Sequence, residues 1–336
     1  MRIACYNAEW FNRLFDDVGV LQRDTQWSAR HGVDRKSQAD ALGAVFKAMD
    51  ADAVMIIEAP DSHAARDGTA ALRNFAAHYG LRTREAVIGF ANTTQQEIAL
   101  LYDPDKMTAT HDPVGETTSM PPRFDGTYKI DLDVDARADD VVFSKPPLEL
   151  ALTTAQGTRL RMIGAHLKSK APHGAQGRDE IMRVSIANRR KQLAQAVWLR
   201  ARITEHLEAG ESLIVLGDLN DGPGLDEYEH LFGRSSVEII LGETGCPCLF
   251  DPHAAQALER RIGAAPTTAR FYLKHHKRYL QALLDYIMVS ADLRDRSPVW
   301  RIWHPFDDPE CWTNTQLRDA LVAASDHYPV TLDIDI

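Results

Sequence analysis

The sequence is poor in the features that mark secreted, membrane-spanning or nucleic-acid-coating chains. It has 4 cysteines in 336 residues, Cys5, Cys246, Cys248 and Cys311, too few and too unevenly spread to form a disulfide framework. Reduced thiols are expected. Cys246-Pro247-Cys248 has a spacing of one residue and no second close pair, which makes loop cysteines a better reading than half of a zinc site. No apolar run approaches the ~18 residues needed to cross a bilayer. The opening Met1-Arg2-Ile3-Ala4-Cys5-Tyr6-Asn7 lacks the basic, apolar and cleavage segments of a secretory signal, so a cytoplasmic location is expected. Internal repeats, low-complexity tracts and Pro/Gly/Ser linkers are also missing, which favours a single domain over residues 1–336 although the length alone allows two. Positive charge is in deficit. Lys+Arg 38 against Asp+Glu 48 gives a net charge of -10, which argues against a protein that coats nucleic acid through its global field and leaves room only for local basic patches.

What is present is an ordinary folding composition, 44% hydrophobic and 26% charged. Residues 2–7 read as a strand, residues 53–57 form a continuous apolar run of the buried-strand kind, and residues 35–49 between them carry Ala39, Leu42, Val45, Phe46 and Met49 at helical spacing. A second helix is expected over 64–78. Strands follow over 86–90, 97–102, 128–134, 148–153 and 159–165, and then a long helix over 179–207 with a basic outer face. Further strands are expected at 212–216, 284–289, 299–303 and 328–336, and the Pro-rich stretch 117–126 reads as a surface loop. Helix and strand alternate without a strict βαβ rhythm. The expected fold is therefore α/β, with two mixed β-sheets packed face to face and helices outside.

Several apolar strands run into polar clusters: Asn7, Glu58, His166, Gly217-Asp218-Leu219-Asn220, Asp285 and Ser325-Asp326-His327. Taken singly, each is a common turn former or cap. As a set they are harder to dismiss, because charged groups at the ends of inner strands are almost never buried without partners. Hard oxygen ligands such as Glu58 and Asp326 suit Mg²⁺, with Mn²⁺ as an alternative, and the lack of a close His/Cys cluster argues against structural zinc.

In this order along the chain, the motifs resemble the endonuclease/exonuclease/phosphatase superfamily of metal-dependent phosphoesterases. The resemblance rests on Asn7, Glu58, His166-Leu167-Lys168-Ser169, Gly217-Asp218-Leu219-Asn220, Leu284-Asp285-Tyr286-Ile287 and Ser325-Asp326-His327-Tyr328-Pro329-Val330. It implies a deoxyribonuclease-like four-layer sandwich. It also implies roles: His327 as general base or catalytic histidine, Asp285 fixing its tautomer, and Glu58 holding the metal with Asn7 and Asp326. Asp218 would position water or join a second metal site. Asn220, His166 and Lys168 would contact the phosphate. Three departures shape the expectation. Ile57 precedes Glu58 where relatives usually have Gln, and Tyr6 precedes Asn7 where Trp is common. His166 sides with pancreatic-type deoxyribonucleases, sphingomyelinases and inositol-phosphate phosphatases, while Asn220-Asp221-Gly222-Pro223 departs from the inositol 5-phosphatase pattern.

Two basic clusters bear on substrate. Arg178, Arg183, Arg189, Arg190 and Lys191 lie on the long helix and read mainly as a solvated face. Lys274-His275-His276-Lys277-Arg278 lies between motif strands, where Lys274, Lys277 and Arg278 would reach flanking phosphates and Phe271, Tyr272 and Tyr279 would stack on bases. The expected function is a Mg²⁺-dependent phosphodiester hydrolase, a nuclease of low sequence specificity acting on nucleic acid. The alternative is a phosphoesterase for phospholipid or small-molecule phosphates. A catalytically dead binding module is disfavoured, since no motif residue is missing, and no obligate protein partner is expected.

Overall fold

Residues 53–57 and 213–216 are apolar at every position, as a strand covered on both faces requires, and in the computed structural model of the chain both lie inside sheets. The structure describes residues 1–131, 138–172, 174–224, 229–243, 245–259, 265–273 and 277–336. The strands in chain order are β1 (Arg2–Asn7), β2 (Ala53–Ala59), β3 (Glu85–Ile88), β4 (Glu97–Tyr102), β5 (Met107–His111), β6 (Tyr128–Ile130) and β7 (Asp139–Val141). They continue as β8 (Leu148–Thr154), β9 (Arg159–His166), β10 (Leu213–Asp218), β11 (Ala269–Leu273), β12 (Arg278–Ala282), β13 (Asp285–Val289), β14 (Val299–Ile302) and β15 (Val330–Asp333). Among the described residues they form a 6-stranded sheet, β14-β15-β1-β2-β4-β3, a 5-stranded sheet, β13-β10-β9-β8-β5, and two ribbons, β6-β7 and β11-β12. Each large sheet has one inner parallel pair, β1 with β2 and β9 with β10, and its other neighbours are antiparallel.

The period of two along each strand sorts the side chains into layers. Ile3, Cys5, Met55 and Ile57 of the first sheet meet Leu150, Met162, Ile214 and Leu216 of the second in the space between the sheets. Their sequence neighbours Ala4, Tyr6, Val54 and Ile56 face outward onto Leu42 and Phe46 of α1 (Arg35–Met49) and Leu72 and Phe75 of α2 (Gly68–Tyr79). On the far side, Ile163, Ala165, Val215 and Met288 pack on Trp198, Leu199 and Ile203 of α3 (Arg178–Glu208). Each fully buried Val, Leu, Ile, Phe or Met side chain among these contributes roughly 1.5–3 kcal/mol. The result is helices, sheet, sheet, helices, the expected four layers, and none of the described helices is long and apolar enough to cross a membrane.

Several boundaries differ from expectation for identifiable reasons. α2 begins at Gly68 rather than residue 64, because the Asp67 carboxylate caps it by accepting from Thr69 N and Ala70 N. β6 ends at Ile130, and residues 132–137 of the expected strand lie outside the described residues. The loop 117–126 is anchored rather than loose: Phe124 is buried against Trp198, whose indole donates to Pro122 O at 3.0 Å. The basic face assigned to α3 needs correction at Arg189, which is 1% exposed and ion-paired with Asp221. The buried stripe of α3 is partly polar, with Arg189, Gln192, Gln195 and Arg202 at turn-like spacing, so apolar periodicity alone could not reveal which side faces inward. The short β5, the β11-β12 hairpin and the helices Pro252–Glu259, Pro309–Thr313 and Thr315–Ala324 were not anticipated.

Two glycines set how closely the layers and strands approach. A Cβ on Gly164 of β9 would sit 2.5 Å from Met55 Sδ and 2.9 Å from Ile98 Cγ2, across the interface between the sheets. Gly217 has φ +148°, and a Cβ there would fall 1.8 Å from the carbonyl oxygen of Ala165. A flexible thioether can yield, whereas a strand carbonyl cannot. Gly217→Ala is therefore expected to lose more than about 2 kcal/mol of stability in urea unfolding, and Gly164→Ala to lose less. The opposite ranking would show that β9 and β10 can separate.

Candidate active site

The parallel pairs fix where the polar strand ends meet. β1 and β2 run together, as do β9 and β10, so Asn7, Glu58, His166 and Asp218 all emerge at carboxyl ends of inner strands, where ligand crevices of α/β sheets form. In the second sheet Asp218 is the register partner of both His166 and Asp285, which places three side chains on adjacent strands at one level. The sheets are joined at this level, because Asn7 Nδ2 donates to Asp218 Oδ2 at 3.1 Å. Glu58 lies at an irregularity in the β2-β4 pairing and has φ +64°, which re-aims its side chain out of the strand alternation. Residues Glu9, Trp10 and Asn220 also have positive φ, so unfavourable backbone conformations are concentrated around the site.

His327 has the partner expected of it. His327 Nδ1 lies 2.8 Å from Asp285 Oδ2, which assigns the proton to Nδ1 and leaves Nε2 for chemistry. Nε2 is 3.9 Å from Asp218 Oδ2 and 3.9 Å from Asp326 Oδ1. Thr268 holds Asp285 in turn: its hydroxyl donates to Oδ2 at 2.8 Å and accepts from the main-chain N of Leu284 and of Asp285. Burial by itself lowers the His327 pKa, but the carboxylates of Asp285, Asp218 and Asp326 outweigh it and hold the imidazolium well above its ordinary range. His166 goes the other way. Burial, with Lys145 and His327 nearby, holds it well below the ordinary histidine value and therefore neutral, and its Nε2 stands 3.7 Å from Asp218 Oδ2. The Asp218 carboxyl is pushed up to about 7 by burial and by Asp285, partly offset by His327.

Beside this group lies a set of carboxylates that repel one another. Burial and the neighbouring Asp326 push Glu9 up to about 7. Burial likewise raises Glu58, helped by Glu9, and raises Asp326, helped by Glu58. Carboxyls raised by burial and by each other are the electrostatic setting that a divalent cation relieves, and all the donors are hard oxygens. These residues fit Mg²⁺ or Mn²⁺. Glu58 Oε2 already accepts from Trp10 N at 2.8 Å and from Gln96 Nε2 at 2.7 Å, which leaves Oε1 for a cation. Asp218, Asp285 and His327 also bring ligand atoms within 4.8 Å of one another, but Asp285 Oδ2 is engaged by Thr268 and His327, so the hydrogen-bonded dyad describes that group better than a metal site.

The turn after β10 combines both of its possible readings. Asp218 Oδ1 accepts from Asn220 N at 2.8 Å, an ordinary Asx turn, while Oδ2 faces the cluster. Asn220 Nδ2 donates to Leu167 O at 3.1 Å, tying the His166 loop to the Asp218 loop. From α3, Gln192 Nε2 donates to the carbonyls of Lys168 and Asn220, and Gln195 Oε1 accepts from Lys168 N. Below the turn, fully buried Asp221 pairs with Lys170 and Arg189 and accepts from Ser236 N and Oγ.

The structure thus brings together Asn7, Glu58, His166, Asp218, Asn220, Asp285, Asp326 and His327. Lys168 lies in the loop after β9 and borders a groove of about 650 Å³ that it shares with Arg183, Arg190 and Lys191. Lys277 and Arg278 are exposed at the outer end of the β11-β12 hairpin, away from its root at the site, and Lys274 lies outside the described residues. Three participants escaped the sequence reading. Glu9, two positions after Asn7, accepts from Asp326 N at 2.9 Å and pairs with Arg30. Lys145, in the turn before β8, is felt electrostatically by Glu58, Asp218 and His166, and burial lowers its own pKa. Arg270, at the hairpin root, donates its main-chain N to Asp326 O at 2.7 Å. Of these, only Glu9 had a signal, its place beside a motif residue.

Comparison with known proteins bears on the fold and the family. No curated protein sequence matches the chain significantly. Among solved structures, truncated TDP2 from Caenorhabditis elegans superposes with a TM-score of 0.53 at 13% identity, covering 98% of this chain and 96% of that one. A humanized TDP2 from D. rerio gives 0.50 at 10% identity, covering 100% and 99%. Likeness at such low identity shows the shared fold. A sequence model described as the Endonuclease/Exonuclease/phosphatase family matches residues 6–327, a span that reaches from the first strand to His327, and the chain belongs to that family.

Proposed function

We propose that the chain is a divalent-metal-dependent phosphodiester hydrolase, a nuclease of low sequence specificity. The observation that carries this reading is the arrangement at His327. A histidine ring with its Nδ1 fixed by Asp285 presents Nε2 to Asp218 and Asp326, at the edge of a carboxylate set whose repulsion a cation would relieve. Water attack on phosphorus needs a proton acceptor, donors for the phosphoryl oxygens and local positive charge. Asp218, whose carboxyl is pushed up to about 7, takes the proton, and His327, held as the imidazolium by Asp285, donates from Nε2 to a phosphoryl or leaving oxygen. Asp218, steered by Asn7 and Asn220, orients the water. Neutral His166, with Asn220, donates to a phosphoryl oxygen, and Lys145 supplies fixed positive charge. Glu58 and Asp326 would hold the metal, with Asn7 supporting its placement, and the metal would neutralise charge on the phosphate.

Support for a polynucleotide substrate comes from a groove in which Lys168, Arg183, Arg190 and Lys191 outnumber Asp139, the partner of Arg190, and Asp140, a local basic excess on a chain with net charge -10. Phosphates on either side of the scissile one find counter-charge there without any base being read.

His327→Ala and Asp218→Asn are each expected to lower kcat by about 10²-fold or more with the circular dichroism spectrum unchanged. EDTA should abolish turnover, and Mg²⁺ or Mn²⁺ should restore it. Lys145→Met is expected to lower kcat/KM by about tenfold or more, the scale of a lost charge-assisted contact. Plasmid DNA, RNA, sphingomyelin vesicles and para-nitrophenyl phosphate assayed side by side test the substrate class, and turnover confined to the lipid or the monoester would reject the nuclease.

A further inference from the structure

A second cavity, of about 430 Å³, opens directly beside the reaction centre and shares Glu9 and Asp326 with it. That volume falls within the ~300–1,000 Å³ of small-molecule clefts. Its other walls include Trp27, Arg30, Arg270, Tyr272 and Tyr279. Large aromatics in water are unremarkable when scattered. Here three of them, Trp27 at 66% exposure, Tyr272 at 48% and Tyr279 at 53%, stand around one concavity.

The walls are held in place. Trp27 Nε1 donates to Arg30 O at 2.7 Å, which fixes the indole. The Tyr272 and Tyr279 rings pack at 5.2 Å on neighbouring strands of the hairpin, and the Arg270 guanidinium lies 3.8 Å from the centre of the Tyr279 ring and 5.2 Å from that of Phe306. The hairpin is rooted in the reaction centre itself through Arg270 N to Asp326 O and through Thr268 to Asp285. A group in this cavity is therefore positioned relative to the phosphate by the same strands that position the catalytic side chains.

We propose that this cavity is a base subsite, holding the nucleobase next to the scissile phosphate. The inference rests on the phosphodiesterase reading and narrows it to nucleoside-bearing esters. A nucleobase has flat faces for the aromatic rings and polar edges for the guanidinium of Arg270. An acyl chain would instead have to cover the charges of Glu9, Arg30, Arg270 and Asp326. Stacking is indifferent to base identity, in keeping with low sequence specificity.

The test compares a dithymidine phosphodiester with analogues in which tetrahydrofuran replaces one nucleoside on either side of the phosphate. Removing the base on one particular side is expected to lower kcat/KM about tenfold, the effect of one lost stacking partner. In a Trp27→Ala/Tyr279→Ala variant that ratio should fall to about one. Equal rates for all three substrates in the wild type, or an unchanged ratio in the variant, would overturn the proposal. So would a variant whose main loss is binding to sphingomyelin–phosphatidylcholine vesicles. A binding measurement separates this failure from failure of the nuclease reading. Thymidine monophosphate should quench tryptophan fluorescence in the wild type and not in Trp27→Phe, ribose 5-phosphate should quench neither, and none of this requires turnover. Absence of thymidine quenching would reject the subsite even in an active nuclease, and its presence would retain the subsite even if plasmid DNA proved not to be a substrate.

Discussion

Placing several carboxylates within reach of one another in a poorly solvated crevice is costly, and the rest of this molecule is organised around managing that cost. Glu9, Glu58, Asp218, Asp285 and Asp326 all face one region, and burial raises the pKa values of Glu9, Glu58, Asp218 and Asp326. Water could neutralise the problem only by opening the crevice. The fold instead surrounds the acids with fixed partners: Arg30 on Glu9, Lys145 near Glu58 and Asp218, and His327 between Asp285, Asp218 and Asp326. The repulsion that remains is of the kind a divalent cation would relieve.

Rigidity of the surrounding polar frame matters for the same reason. Gln192 and Gln195 reach from α3 to the main chain of two loops, and Asp221 is held below the turn by Lys170, Arg189 and Ser236. These groups sit under or behind the residues of the polar cluster, and what they contribute is placement. Backbone strain at Glu9, Trp10, Glu58 and Asn220 is tolerated because hydrogen bonds such as Trp10 N to Glu58 and Asn220 N to Asp218 hold those conformations.

Much of this was legible in the sequence, and unevenly so. The layers were readable because the inner strands are apolar on both faces and α1 shows clean helical spacing, with Asp34 capping it by accepting from Ser37 N. The motif residues were readable because each interrupts an apolar strand end. Arg189 was misplaced because a charged residue in a basic run looks solvated until its partner, Asp221, is seen across the fold. Lys145 and Arg270 stand in no motif and meet the site only through turns whose path is set by tertiary packing. The hairpin cations were expected at the rim of the site, and Arg278 lies at the outer end of the hairpin one register pair beyond Tyr272 and Tyr279, which border the cavity.

The bond between Asn7 and Asp218 joins side chains 211 positions apart, and Ser325 Oγ donates back to Asn7 O across 318. The alignment of these side chains therefore depends on the far end of the chain, since Ser325 precedes the final strand. A ribosome-bound intermediate, a truncated copy or a molecule whose two sheets have not yet docked carries the individual acids and imidazoles without their mutual alignment. The cluster is thus a property of the docked sheets together and of no shorter segment of the chain.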